Sequence, residues 1–85
     1  MAVDGQTPQT AGVRPGQVYR NTKKGTRYEV VCLATHSETD EEMVVYRDVA
    51  TQRSFVRPFA LFTGTREENG SQLARFVLEV DCGEG

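Results

Sequence analysis

The chain contains no run of about 18 apolar residues, so no membrane-spanning helix is expected. Its first 14 residues lack the basic start and apolar middle of an export signal, and a cytoplasmic location is the expectation. Histidine occurs once and cysteine twice, with no CxxC pair. That excludes the usual four-donor structural zinc site and leaves too few thiols for the disulfide scaffold of a small secreted domain. No metal and no cofactor is expected. Around Lys23-Lys24-Gly25-Thr26-Arg27 the glycine spacing of a phosphate loop is missing, and so is its strand-to-helix context. There is also no long run of one charge: 10 Lys and Arg face 12 Asp and Glu, for a net charge of -2. A dense basic face for nucleic acid would exist only if folding gathered scattered cations.

What is there fits one small domain. A chain of 85 residues encloses one thin core and has no volume for a second lobe. Residues 1–13 are small and polar without an apolar period and are expected to form a disordered leader. The ordered domain is expected over 14–81, opening at the turn signal Arg14-Pro15-Gly16, with a frayed tail at 82–85. Charge alternates in blocks: positive over 1–30 and 49–63, negative over 31–48 and 64–85.

Five short strands are predicted. The first starts at Val18 and Tyr19, and the polar turn 21–25 returns the chain into 27–34. There Tyr28, Val30, Cys32 and Ala34 alternate with their neighbours, so Cys32 reads as a small core side chain. The second face of that strand turns apolar at Val31 and Leu33, which implies a bend across the core. Strands at 43–49 and 53–56 form a hairpin ended by Pro58, which forces Arg57 out of the helical region. Phe59 and Phe62 suit one helical turn stopped by Gly64. Residues 65–72 read as a loop carrying the turn signal Asn69-Gly70, followed by a last strand at 73–80 with Phe76, Leu78 and Val80 on one side. A flat sheet would leave one apolar face wet, so a five-stranded barrel or roll with one short helical turn is expected, and an open dimeric sheet is the competitor. The sequence carries no signal of oligomeric state.

His36 and Glu38 are two residues apart and face one way on extended backbone, the only pairing that suits a small hydrolase-like site. The plainer reading makes residues 36–42 a polar connection, with His36 packed beside a tyrosine. Tyr19, Tyr28 and Tyr46 lie in predicted strands, either as core rings with hydroxyls at the rim or as an exposed groove for a peptide or stacked bases. Arg57 is expected to pair with Glu38 or Glu42, with a ligand clamp as the rival.

Several stretches together resemble a known family: Gly16-Gln17-Val18-Tyr19; Lys24-Gly25-Thr26-Arg27-Tyr28-Glu29-Val30; residues 34–42 with their His36-Ser37-Glu38-Thr39 core; Val44-Val45-Tyr46-Arg47; and Val56-Arg57-Pro58-Phe59. The chain is similar over residues 15–80 to the small bacterial domains catalogued as DUF1653. The resemblance implies a small SH3-like barrel and no established activity. Three positions depart from the common pattern. Asn21 stands where histidine is frequent, Phe55 where tryptophan is usual, and Ala74 where proline often precedes arginine and phenylalanine. The reading is a non-enzymatic binding or adaptor module for a peptide or protein. Its rim candidates are Tyr19, Tyr28, His36, Glu38, Tyr46 and Arg57. The alternative is nucleic-acid binding through Arg20, Lys23, Lys24, Arg27 and Arg53.

Overall fold

A computed structural model describes residues 12–81; residues 1–11 of the leader expected over 1–13 and the tail at 82–85, with Cys82, lie outside the described residues. The strands are β1 (Val18–Asn21), β2 (Arg27–Thr35), β3 (Glu42–Asp48) and β4 (Ser54–Pro58), followed by the short helix α1 (Phe59–Phe62). After the helix come β5 (Thr65–Glu68), β6 (Ser71–Ala74) and β7 (Phe76–Val80). Five strands form one sheet in the order β4-β3-β2-β1-β7, while β5 and β6 form a separate two-stranded sheet. The pairings within each are antiparallel.

The sheet is open, which corrects the expected barrel: β4 and β7 are its two edges and do not pair with each other. Pro58 has no N–H to donate and turns the chain out of β4 into α1, so the strand ends where closure would need more ladder. Side chains do the covering that strand pairing would have done. Phe62, from α1, is 1% exposed and stacks on Phe76 with ring centroids 4.4 Å apart and planes 11° apart. Tyr19 meets Phe62 edge-on at 5.1 Å, and Tyr46 packs against both Phe62 and Phe76. Such pairs add about 0.5–1.5 kcal/mol each beyond the area they bury. Val13, Tyr28, Val30 and Val44 complete the buried cluster. Val13 belongs to this core although its surroundings in sequence are polar, and Val45 is only partly buried beside the fully buried Val44.

One inserted residue redirects β2. Val30 pairs with Tyr46 and Cys32 with Val45, so Val31 is extra in the ladder, a β-bulge. The period of 2 is broken there, and the face assignments beyond it change. Cys32, expected in the core, is therefore an exposed free thiol, while Leu33 packs against the core.

The segment after α1 also departs from expectation. Asn69 (φ 55°) and Gly70 (φ 81°) both adopt the left-handed backbone of a tight two-residue turn, and the flanking residues pair as Glu68 with Ser71 and Thr65 with Ala74. What read as a loop and the start of one long strand is thus a hairpin, and the chain breaks at Arg75 before β7. Of the side bearing Phe76, Leu78 and Val80, only Phe76 is buried, because β7 is an edge strand with β1 as its single neighbour. Gly64 is required at the end of α1: a Cβ there would stand 2.9 Å from the Ala60 carbonyl oxygen.

Gln17 is a buried polar residue, 1% exposed. Its Oε1 accepts from the Arg14 backbone N–H at 2.8 Å and lies 3.1 Å from the Tyr19 hydroxyl, and its Nε2 donates to Asp81 at 3.1 Å. Burying an amide without such partners would cost about 1–3 kcal/mol.

The pairing of β1 with β7 also carries a bulge: Val18 faces Val80 and Tyr19 faces Leu78, which leaves Glu79 extra. Glu79 accepts from Arg20 Nε and Arg27 Nε, each at 2.7 Å, and these bonds hold its carboxyl below the usual carboxylate range. A carboxyl depressed by folding contributes stability above its unfolded value and loses it as pH falls through the folded one. Glu79→Gln should therefore be the less stable chain at neutral pH, with the difference from wild type shrinking on acidification. Urea unfolding in steps from about pH 7 to about pH 3 checks this. A difference that does not change with pH contradicts it.

Candidate functional site

Where the two sheet edges fail to meet, side chains enclose two adjoining clefts. One, of about 190 Å³, is lined by Asn21, Lys23, Lys24, Arg57, Arg66, Arg75 and Phe76. The other, of about 110 Å³, is lined by Asn21, Lys24, Tyr28, Tyr46, Phe55, Arg57 and Phe76. They share Asn21, Lys24, Arg57 and Phe76, so they form one depression with a basic part and an aromatic part. No carboxylate lines either part.

Local structure explains how the cations converge. The Asn21 side-chain oxygen accepts from the backbone N–H groups of Lys23 (2.8 Å) and Lys24 (3.0 Å), and Gly25 (φ 81°) closes the turn back into β2. Two consecutive lysines are thereby fixed at the rim. Arg57 is the last residue but one of β4, immediately before Pro58. Its Nε donates to the Tyr46 hydroxyl at 3.2 Å, and its guanidinium carbon lies 5.4 Å from the centre of the Phe76 ring. Arg75 sits in the break between β6 and β7, with its backbone held by Thr22 and Gly64. Arg66, from β5, donates to Glu68 at 2.7 Å and to the Thr22 hydroxyl at 3.1 Å, and its side chain is only 17% exposed.

Of these five cations only Arg66 has a carboxylate partner. Lys23, Lys24, Arg57 and Arg75 have none among the described residues. Elsewhere Arg14, Arg20, Arg27 and Arg47 are all matched, to Asp81, Glu79, Glu79 and Glu29. On a chain of net charge -2, unneutralised positive charge is thus concentrated in one concavity. Confined walls of one sign raise the local potential above what the same charges give on an open surface.

The candidates read from the sequence separate in space. Tyr28, Tyr46 and Arg57 come together at the depression, joined from the nucleic-acid set by Lys23 and Lys24. Tyr19 points into the core near the chain's start, its hydroxyl within 3.1 Å of Gln17 Oε1 and 3.3 Å of the Gly12 carbonyl oxygen. Burial raises its phenol above the ordinary tyrosine range, and Asp81 adds to the rise. His36 and Glu38 lie in the turn between β2 and β3. His36 Nδ1 accepts from the backbone N–H groups of Glu38 (3.1 Å) and Thr39 (3.3 Å), so the ring caps its own turn. Arg20 and Arg27 are bound to Glu79, and Arg53 covers the Phe55 ring at 5.4 Å. Arg57 takes neither expected carboxylate, Glu38 nor Glu42; a hydroxyl and an aromatic face hold it instead.

All three tyrosines are buried, at 5–8% exposure, which removes an open groove of tyrosine faces. The rings beside the cations are also covered. Phe76 carries Phe62 and the Arg57 guanidinium, Phe55 carries Arg53 and meets Tyr46, and Tyr28 receives Tyr46, Phe55 and Phe76 edge-on. Sequence reasoning missed Arg66 and Arg75. Arg66 has no local signal, but Arg75-Phe76 is the retained part of the family pattern in which Ala74 departs.

A larger and more open depression of about 620 Å³ lies along α1, lined by Asp40, Glu41, Glu42, Phe59, Ala60 and Thr63. Asp40 and Glu41 belong to the turn before β3, and Glu42 is the first residue of that strand. Among the described residues no group of three or more His, Cys, Asp or Glu side chains could hold a metal ion. No helix there is long and apolar enough to cross a membrane.

These features define a small domain with an open five-stranded sheet, a two-stranded hairpin, one short helix, and a basic cleft at the sheet's gap. The chain belongs to the family described as "Protein of unknown function (DUF1653)", which matches residues 17–78. It is similar to a protein of that family from Bordetella bronchiseptica whose crystal structure is solved. That protein is 28% identical, the match covers 87% of this chain and 96% of that one, and the TM-score is 0.69. No curated protein matches the chain.

Proposed function

We propose that this domain is a non-enzymatic binding module that holds an anionic group of its partner in the basic cleft. One observation supports the reading above the others: Lys23, Lys24, Arg57 and Arg75 converge on a concavity with no lining carboxylate, while most other arginines of the described residues are matched. Anion binding would supply the missing counter-charge. Arg57 is prepared for it, since Tyr46 and Phe76 fix its guanidinium and both terminal nitrogens carry no hydrogen bond among the described residues. A peptide or protein partner would enter as an acidic or phosphorylated side chain. Stacked bases are the weaker reading, because the rings at the cleft already have neighbours on their faces.

Calorimetric titration with sulfate and pyrophosphate in low-salt buffer tests this. Saturable one-site binding that weakens as salt rises is expected, because the cleft is open enough to be screened. Heats no larger than dilution at the lowest salt would sink the reading.

A further inference from the structure

Resting on that reading, the geometry points to a diphosphate group as the occupant, gripped by its charge and without help from any base attached to it. The charge of the cleft selects the group. Four cations lack a carboxylate partner among the described residues, and Arg66 adds a fifth whose charge Glu68 partly offsets. One carboxylate would neutralise a single member of this set. A phosphomonoester carries about -1.5 to -2 charge and three acceptor oxygens, still fewer than the donors assembled there. A diphosphate adds a second phosphoryl group and more ionised oxygen within a compact length, which suits a cleft of about 190 Å³.

The donor types agree. Arg57 and Arg75 present planar forks that match two oxygens of one phosphoryl group, while Lys23 and Lys24 act as mobile point charges at the rim. The adjoining aromatic part gives no platform to a nucleobase: Phe76 is sandwiched by Phe62 and Arg57, Phe55 is covered by Arg53, and Tyr28 and Tyr46 are buried. A base would remain outside in solvent. Free pyrophosphate and the diphosphate end of a nucleotide offer the same chemistry, and the titration separates them.

The full chain is titrated with orthophosphate, pyrophosphate, AMP, ADP, CDP, citrate, a phosphoserine peptide and a single-stranded oligonucleotide, all at one ionic strength. Pyrophosphate, ADP and CDP are expected to bind within about threefold of one another and at least tenfold tighter than orthophosphate, AMP or citrate. Equal binding of mono- and diphosphates overturns the proposal while leaving anion binding intact. So does ADP binding tenfold tighter than both CDP and pyrophosphate, or an oligonucleotide or phosphopeptide binding tighter than all of them. No binding by any anion overturns this proposal and the proposed function together. Arg75→Ala should lower diphosphate affinity at least tenfold, whereas Arg53→Ala, outside the cleft lining, should leave it within twofold. Far-UV circular dichroism of both variants separates lost binding from lost fold, and unchanged affinity in a folded Arg75→Ala chain counts against the proposal.

Discussion

Phe62→Ala is expected to remove most of the domain's stability. The ring is 1% exposed, stacks on Phe76 at 4.4 Å and touches Tyr19 and Tyr46, so three strands lean on this one side chain from α1. Truncating a buried phenylalanine costs about 3–5 kcal/mol, from lost transfer energy and the cavity left behind. Proteins are stable by roughly 0.05–0.15 kcal/mol per residue, about 4–13 kcal/mol for a chain of 85 residues. A thin-cored domain of this size lies toward the lower end of that range, where such a loss leaves only a small remainder or unfolds the variant. Leu61→Ala, one position earlier and 49% exposed, should change stability by less than about 0.5 kcal/mol. Urea unfolding followed by tyrosine fluorescence measures both, the chain having no tryptophan. A loss below about 1 kcal/mol in Phe62→Ala would mean that α1 does not close the core.

Arg57→Ala carries the largest expected effect on binding. The guanidinium is held by Tyr46 and Phe76 and has free terminal donors, so little of its fork must be ordered when an anion arrives. Hydrogen bonds to charged groups contribute about 1.5–3 kcal/mol, equivalent to a loss of roughly tenfold to 150-fold in pyrophosphate affinity. Arg57→Lys restores the charge without the fork or its aromatic seat, and its affinity should fall between those of wild type and Arg57→Ala. The stability cost of Arg57→Ala is smaller, about 0.5–1 kcal/mol for the lost contact with Phe76, so the variant should stay folded for the measurement. Wild-type affinity in Arg57→Ala would remove Arg57 from the site.

How far the sequence reached follows from which signals are local. Strands β1 to β4 were legible because Val, Tyr and Phe alternate between turn residues, and Pro58 with Phe59 and Phe62 marked α1. The hairpin β5-β6 was not: its strand residues are mostly exposed, so no apolar period betrays it, and only Asn69-Gly70 gave notice of a turn. The bulge at Val31 inserts one residue into an unbroken apolar stretch, and nothing in that stretch says which residue loses its partner; Cys32 was misplaced for that reason. Whether a sheet closes depends on how its edges end, and a hydrophobic pattern is nearly the same for an open and a closed sheet. The cleft shows the same limit. Tyr28, Tyr46 and Arg57 could be named in advance, and Lys23-Lys24 stood out as a pair. Arg66 and Arg75 reach them from later in the chain, brought in by the hairpin and by the break before β7.

The most direct test is side-chain and backbone NMR during a pyrophosphate titration at low salt, following the arginine Nε–H signals and the amides of the turn at 21–25. The account predicts saturating shifts at Arg57 and Arg75 and at Lys23 and Lys24, with Arg20, Arg27 and the amides of Asp40 to Glu42 unmoved. Shifts centred on Arg20 and Arg27, or spread evenly over every arginine without saturation, would contradict it.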